Sequence, residues 1–197
     1  LNINILGSFV KPIDPLFLDP GCEHVEKCGD NNLKAIPYET WQWPFKVKSE
    51  GKEVTINAEV RMSRFPFRFG SKDVTEEPSG QNGNIRQKII REHNGILFYR
   101  QGRYIDCMKH IPSEAKKTRR FQTYDQNYKI EVNFPSTLDE AFGVTNNKQY
   151  VNLPFTTLNA DGFVRLMAEA GALYSDVKKA EIDEEINALA NAKAAVQ

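Results

Sequence analysis

The chain has 197 residues and a mass of 22.5 kDa, which suits one domain of ordinary size with or without an appendage. Hydrophobic residues make up 40% and aromatic residues 11%, so a core can form and the composition argues against global disorder. Lys+Arg and Asp+Glu number 26 each, and a net charge of zero argues against a uniformly basic nucleic-acid binder and an acidic tail protein.

The sequence contains no apolar run close to the roughly 20 residues that a membrane helix needs. Its first residues, LNINILGSFVKPIDP, lack the basic start and the long apolar stretch of a secretory signal. We therefore expect a cytoplasmic protein with no membrane partner. Because there is no initiator Met, we interpret the chain as a fragment or a processed product.

Three strands are predicted in the first part of the chain. Residues 2–6 alternate between polar and apolar side chains. Trp41 and Trp43 lie two residues apart, which puts both rings on the same face of a strand. Residues 52–62 have the clearest alternation, and one face carries Val54, Ile56, Ala58, Val60 and Met62. The following residues, 71–84, lack periodicity and are interpreted as a loop.

The cysteines do not form a disulfide framework, because there are only three of them and the number is odd. This usage favours a reducing compartment. The residues that could bind zinc are Cys22, His24, Cys28, Cys107 and His110. The first two cysteines have five residues between them and so lack the usual Cys-x2-4-Cys spacing. We therefore favour a polar loop at 21–34 with free thiols and predict no metal site.

A hairpin and a further strand are predicted in the second half. Residues 95–105 contain two apolar runs on either side of Gln101-Gly102, and glycine supplies the positive φ of a tight turn. Residues 128–134 alternate again and end at Pro135.

A short helix is predicted directly after this strand. Ser136 is a good N-cap, and Asp139 and Glu140 lie in the first turn, where carboxylates are favourable. Gly143 is expected to end the helix.

The last part of the chain, from Asp161 to about Val196, is rich in Ala, Glu and Lys and predicts a long helix or a helical pair. An apolar stripe runs through Phe163, Leu166, Ala170, Leu173 and Val177. Ile182, Ile186 and Leu189 continue it one residue out of phase, so either the helix breaks near Ser175 or the stripe drifts around it. We favour packing of the stripe on its own domain over a homodimer or partner seam.

Common catalytic signatures are absent. There is no phosphate loop of the G-x-x-x-x-G-K-[ST] type, no G-x-G-x-x-G, no H-E-x-x-H and no G-x-S-x-G. The three histidines lie in no recognisable nucleophile setting. From its residues alone, the chain does not look like a self-sufficient enzyme.

One pair of segments is more specific: NGILFYRQGRYID (94–106) and YKIEVNFPSTLDEAFGVTNNKQYV (128–151). Together they resemble the transducer region of GHKL-type ATPases, closest to the microrchidia-type and bacterial heat-shock-chaperone-like members. The matching positions are Gly95, Ile96, Tyr99, Arg100, Arg103, Glu131, Phe134, Leu138, Asp139, Phe142, Gly143, Val144, Asn147, Lys148 and Gln149. Residues 12–20 resemble the entry to that module, whereas QNYK at 126–129 replaces a basic-Trp-Trp-Gly run common in the bacterial relatives.

The resemblance implies an α/β (α+β) fold. Residues 1–155 would form the transducer-like domain, a mixed sheet with a left-handed βαβ crossover, and residues 156–197 a C-terminal helix or helical pair. It also implies an ATPase parent, whose N-terminal module holds ATP and Mg²⁺ and is a partner of this domain.

The resemblance further implies that one lysine of the transducer reaches the γ-phosphate, and by motif match this is Lys148. A flexible ammonium can meet a terminal phosphate and steady the charge that develops there. Asn146, Asn147 and Gln149 would shape the same cofactor-binding loop. For Arg100 and Arg103 we favour structural ion pairing or solvation.

Two alternatives remain open. From Arg86 to Arg120 there are ten Lys/Arg against three Asp/Glu, with aromatic residues interleaved, a composition that can bind DNA or another nucleic acid. The C-terminal helix could instead mediate protein interaction or homodimerisation.

Overall fold

The computed structural model describes residues 3–5, 8–49, 51–75, 83–115, 120–144 and 150–194. The strands are β1 (Ile3–Ile5), β2 (Ser8–Val10), β3 (Ile36–Pro37), β4 (Trp41–Ser49), β5 (Lys52–Arg64), β6 (Ile96–Arg100), β7 (Arg103–Met108) and β8 (Tyr128–Phe134). The helices are α1 (Ile85–Glu92), α2 (Phe155–Leu158) and α3 (Asp161–Ala194).

Six strands, β3 to β8, form one mixed sheet, and β1 and β2 form a separate hairpin. The long β5 pairs with β3 and β4 along one edge and with β8 along the other. β8 then pairs with β6, and β6 with β7. The β6–β8 pair is parallel, and the other pairs are antiparallel. The predicted α/β class, a mixed sheet followed by a C-terminal helical segment, is confirmed.

The connection between the parallel strands β6 and β8 runs through β7 and residues 109–127. In the described part of that connection the helical element is a single 3-10 turn, Thr123–Asp125. The left-handed crossover that the resemblance implies stays a prediction.

The predicted hairpin at 95–105 is confirmed as β6 and β7. Gln101 and Gly102 have φ values of 52° and 77°, so both turn residues adopt the left-handed conformation of a tight two-residue hairpin turn. This turn fixes the register that brings Arg100 opposite Arg103.

The main hydrophobic core lies between one face of the sheet and α3. Trp41, Trp43, Ala58, Val60 and Met62 come from β4 and β5, and Ile130, Val132 and Phe134 come from β8. The helix contributes its predicted stripe, Phe163, Leu166, Ala170, Leu173 and Val177, all of it buried. Gly162 allows the close approach at the start of α3, since a Cβ at this position would lie 2.0 Å from Trp43 Nε1.

α3 is one continuous helix without a break at Ser175, so the apolar stripe drifts around it. Beyond Val177 the stripe leaves the core, and Ile182, Ile186 and Leu189 are 54%, 57% and 63% exposed. Intramolecular packing is therefore observed for the first half of the helix. Homodimerisation through the second half, and the division of the chain at 155/156, stay predictions.

A smaller core covers the opposite face of the sheet and was not expected. It contains Phe17, Cys22, Val25, Phe65, Phe69, Ile89 and Ile90. These residues come from the segment before β3, the loop after β5 and α1. The sheet is therefore covered on both faces, in three layers.

Two charged side chains hold this covering layer together. Asp14 accepts hydrogen bonds from the backbone amides of Leu16, Leu18 and Asp19 and so fixes the PIDPLFLDP turn. Arg86 of α1 is fully buried and donates to the carbonyls of His24, Val25 and Leu33. Burial lowers the pKa of Arg86 from its ordinary value.

The helix predicted after β8 is shorter than expected. Ser136–Leu138 form a 3-10 helix, its N-cap is Pro135 without a side-chain hydrogen bond, and turns follow to Gly143. Seven residues must bring both Leu138 and Phe142 into the core, where both are fully buried. This tight path favours 3-10 and turn geometry over a regular helix.

In the described ranges, no helix combines the length and apolar character needed to cross a membrane.

Phe142 contacts four other aromatic rings and provides the sharpest test of the main core. Its ring centroid lies 4.0 Å from that of Phe134, 5.2 Å from Phe45, 5.7 Å from Trp43 and 5.9 Å from Phe98. We expect Phe142→Ala to lower the free energy of unfolding by about 3–5 kcal/mol, as measured by urea denaturation, because a buried cavity replaces the ring. The control Phe155→Ala, at a 67% exposed ring, should cost less than about 0.5 kcal/mol. Equal losses would show that Phe142 is not central to the core.

Candidate functional site

The two segments that carry the sequence resemblance meet at the parallel strands β6 and β8. Ile96 lies opposite Ile130 and Arg100 opposite Phe134, so both strands end at the same edge of the sheet. Six of the seven residues of β8 are buried. The turns that follow this strand therefore start from a rigid position.

An ion pair joins the two segments just beyond the strand ends. Arg100 Nε lies 2.6 Å from Asp139 Oδ1, and Nη2 lies 2.9 Å from Oδ2. This bidentate geometry fixes both position and orientation. Structural ion pairing of Arg100 is thus observed, whereas Arg103 is exposed at the start of β7.

The predicted site residues Asn146, Asn147, Lys148 and Gln149 lie outside the described residues. The residues on either side of them are described and are close together. Val144 and Val151 form an antiparallel bridge, and Asn152 N donates to Gly143 O at 3.4 Å. The segment that carries Lys148 therefore starts and ends at one point of the fold.

Further bonds hold this point against the rest of the sheet. The Asp106 carboxylate on β7 accepts the Val151 amide at 2.9 Å. Val144 N donates to the Asp139 carbonyl at 2.8 Å, next to the ion pair with Arg100. We call this part of the sheet the site edge, and it comprises Arg100, Asp106, Asp139, Gly143, Val144 and Val151.

Gly143 is required at this edge for two reasons. Its φ is 60°, a conformation that other residues adopt only with strain. A Cβ at this position would also lie 1.8 Å from the carbonyl oxygen of Asn152. Gly143 was predicted to end a helix, but the 3-10 helix ends at Leu138. The role that the structure shows for Gly143 is steric, which the sequence did not indicate.

The covered face of the sheet holds charged groups that sequence reasoning missed. Lys129 of β8 is 1% exposed, and its ammonium donates to the carbonyls of Gln126 at 2.8 Å and Tyr128 at 3.0 Å. Burial lowers the pKa of Lys129 to about 7, although Cys107 and Asp125 act in the opposite direction. The alternation of β8 does not show that this face is covered, because the layer that covers it is distant in sequence.

Further along β8, at Glu131 and Asn133, a cleft of about 290 Å³ opens between this face and the Asp14 turn. Arg61 pairs with Glu131 there: Nη2 donates to Oε2 at 3.3 Å, and Nε lies 3.0 Å from Oε1 without forming an aligned hydrogen bond. Burial raises the pKa of the Glu131 carboxyl group. Burial also raises the pKa of the Tyr99 hydroxyl, and Tyr99 lines the same cleft. Asp14, Asp19 and Glu59 are the further carboxylates, which give the cleft an excess of negative charge.

The cysteine and histidine residues considered for zinc do not gather. No group of three or more His, Cys, Asp or Glu side chains suited to a metal ion occurs within the described ranges. Cys22 and Cys28 are buried, and burial raises the pKa of Cys22 and of Cys107 to about 11. Both thiols are therefore protonated near neutral pH, whereas zinc binds the thiolate.

Comparison of the chain with protein-family models, curated proteins and solved structures gives no significant match. The family resemblance therefore depends on the residues of the two segments alone.

Gly102 provides a matched control for the steric role of Gly143. Both have left-handed φ values, but a Cβ at Gly102 would meet nothing within 4 Å. We expect Gly102→Ala to cost about 1 kcal/mol of unfolding free energy from backbone strain alone. Gly143→Ala should cost at least about 3 kcal/mol because backbone must also move. Urea denaturation, with amide exchange at Val151, tests this, and similar losses for the two variants would contradict it.

The lowered pKa of the buried Lys129 should make the free energy of unfolding depend on pH. Its pKa is about 7 in the folded chain and about 10.4 when unfolded, so between these values unfolding takes up a proton. The free energy of unfolding should then rise with pH, by at most about 1.4 kcal/mol per unit. We expect the stability of Lys129→Met relative to wild type to fall by about 1–2 kcal/mol between about pH 7 and about pH 8.5.

The control for this measurement is Lys46→Met, at an exposed lysine that pairs with Glu53. Its stability relative to wild type should not change over the same pH interval. A pH-independent difference for Lys129→Met as well would show that Lys129 stays charged in the folded protein.

Proposed function

We propose that this chain is the transducer portion of a GHKL-type ATPase. In this proposal it senses the ATP γ-phosphate through Lys148 and relays the nucleotide state to other domains. The observation that carries the proposal is the Arg100–Asp139 ion pair at the ends of the parallel strands β6 and β8. Arg100 belongs to the first segment of the resemblance, residues 94–106, and Asp139 belongs to the second, residues 128–151. An accidental sequence match gives no reason for these segments to be neighbours in space.

The cleft at Arg61 does not suit a nucleotide. It has more carboxylates than cations, and carboxylates repel a triphosphate. Within the described ranges no cluster of carboxylates is suited to Mg²⁺. In the resemblance, Lys148 is the residue that meets the terminal phosphate, and its neighbours Asn146, Asn147 and Gln149 shape the same segment. The resemblance also implies that the N-terminal ATPase module of the parent chain is the partner that binds most of the ATP and Mg²⁺.

ATP would supply the terminal phosphate whose presence or loss changes the charge beside Lys148. The chain's own contribution is a stiff attachment for that lysine. Val144 and Val151 are bridged, Asp106 accepts the Val151 amide, and Gly143 lies next to Phe142 in the main core. A displacement of residues 145–149 would therefore act on β7 and on the core beneath α3, which is how a local charge change can reorient a domain.

The test uses the natural polypeptide that contains this chain, as wild type, Lys148→Ala and the control Lys46→Ala. We expect Lys148→Ala to lower steady-state ATP turnover about 100-fold, the size of effect seen when one donor to developing charge is removed. ADP affinity should change less than about twofold, because ADP lacks the phosphate that Lys148 contacts. Lys46→Ala should behave as wild type in both assays.

Two outcomes would overturn the proposal. One is turnover by Lys148→Ala equal to that of the control. The other is a natural polypeptide that folds and yet hydrolyses no ATP.

A further inference from the structure

The basic residues between positions 86 and 120 separate into two groups in the structure. Arg86 is buried among backbone carbonyls, and Arg100 is paired with Asp139. These two have structural roles. Of the others that the structure describes, Lys88, Arg91, Arg103, Lys109 and Arg120 are exposed.

Several of the exposed cations lie together on one side of α1. Lys88 and Arg91 are three residues apart and so share a face of the helix. With Lys109, just beyond β7, they line an open cleft of about 560 Å³. The amide side chains of Asn84 and Gln87 line it too. We call this surface the basic cleft.

The backbone brings a fourth cation beside Lys109. Arg120 and His110 form an antiparallel bridge, and Phe121 N donates to the Lys109 carbonyl at 3.0 Å. Arg120 therefore adds a fourth positive charge near this end of the basic cleft, outside the residues that line it.

Little of this charge is neutralised. Lys88 Nζ lies 3.9 Å from Glu92, and the two side chains are 69% and 55% exposed, a geometry that contributes almost nothing in water. Among the described residues, Arg91, Lys109 and Arg120 have no carboxylate partner in an ion pair. Since the whole chain has zero net charge, this positive surface is local and is balanced by acidic residues elsewhere.

We propose that the basic cleft binds the phosphodiester backbone of a nucleic acid, without sequence selectivity. Exposed cations spread along an open surface suit a polymer with many phosphates better than a single small anion, which water and salt would displace. Amides such as those of Asn84 and Gln87 are common donors to phosphate oxygens. This inference does not depend on the ATPase proposal, because none of its residues belongs to the site edge.

An anionic membrane is the competing partner, and the structure disfavours it. Helices that lie on a membrane insert an apolar face between the lipids. The apolar residues Ile89 and Ile90 of α1 are buried in the second core, and Ile85 is the one large apolar side chain that this helix exposes. The basic cleft can therefore attract an anionic surface but has little to insert into it.

The test measures fluorescence anisotropy of a labelled duplex DNA of about 20 base pairs, and of one of its single strands, with the full chain over a salt series. Four phosphate contacts predict a slope of about −3.6 in a plot of log affinity against log salt for the duplex. Lys88→Ala combined with Arg91→Ala should weaken duplex binding at least about tenfold at low salt and make the slope shallower by about 1.8. The control removes two exposed lysines of β4, Lys46→Ala combined with Lys48→Ala, and should bind as wild type does.

Three results would overturn the inference. The first is that the chain binds neither the duplex nor the single strand at about 50 mM salt, where such contacts are strong. The second is that the control weakens binding as much as the α1 pair does, which would indicate a diffuse charge effect. The third is that vesicles containing phosphatidylserine bind the chain in a Lys88- and Arg91-dependent manner while DNA does not, which would assign the basic cleft to a membrane surface.

Discussion

The burial of β8 on both faces is the constraint on which the rest of the structure depends. One face presents Ile130, Val132 and Phe134 to α3. On the other face, Lys129 lies against Phe65 of the loop after β5, and Glu131 lies at the cleft beside the Asp14 turn. A strand buried in this way cannot shift its register without exchanging the two sets of side chains. Its position therefore fixes the sheet, both covering layers and the chain that follows it.

The site edge is a direct consequence of that fixed strand. Only eight residues separate the end of β8 from Gly143, and within them Leu138 and Phe142 fill the main core while Asp139 pairs with Arg100. The chain then has no freedom at Gly143, where the carbonyl of Asn152 occupies the space of a side chain. A segment that starts and ends at so rigid a point can transmit force to the core, which is the physical basis of the proposed relay.

The second face has a different character, because it buries charge as well as apolar surface. The buried Arg86 donates to three carbonyls and the buried Lys129 to two. The half-buried Arg61 pairs with Glu131, although its Nε makes no aligned hydrogen bond. Buried charges of this kind add little net stability even when paired, but leaving one partner unmatched is costly. They therefore constrain which segment can cover the sheet. The covering layer also determines the basic cleft, since the contacts of Ile89, Ile90 and Arg86 turn Lys88 and Arg91 towards solvent.

The sequence by itself determined the local elements whose signals are short in range. The alternation in β5 and β8, the Gln101-Gly102 turn, the tryptophan pair on β4 and the stripe of α3 all follow from side-chain periodicity and backbone preference. The mixed α/β class is consistent with these patterns, whereas the matching positions come from the resemblance to a known family and not from periodicity. The assignment of Lys148 as a phosphate sensor comes from that resemblance and stays a proposal.

Only the tertiary structure decided which side chains are buried and which residues far apart in the sequence are in contact. The alternation of β8 cannot tell a solvent face from one covered by residues far away in the sequence, such as Phe65 at Lys129 and Asp14 near Glu131. A count of basic residues cannot separate Arg86 and Arg100, whose partners are distant, from Lys88 and Arg91, which remain in water. Nor can residue types show that the Asn152 carbonyl approaches Gly143. In each case the deciding interaction joins parts of the chain that come together only when the sheet is covered. A local sequence pattern therefore cannot predict it.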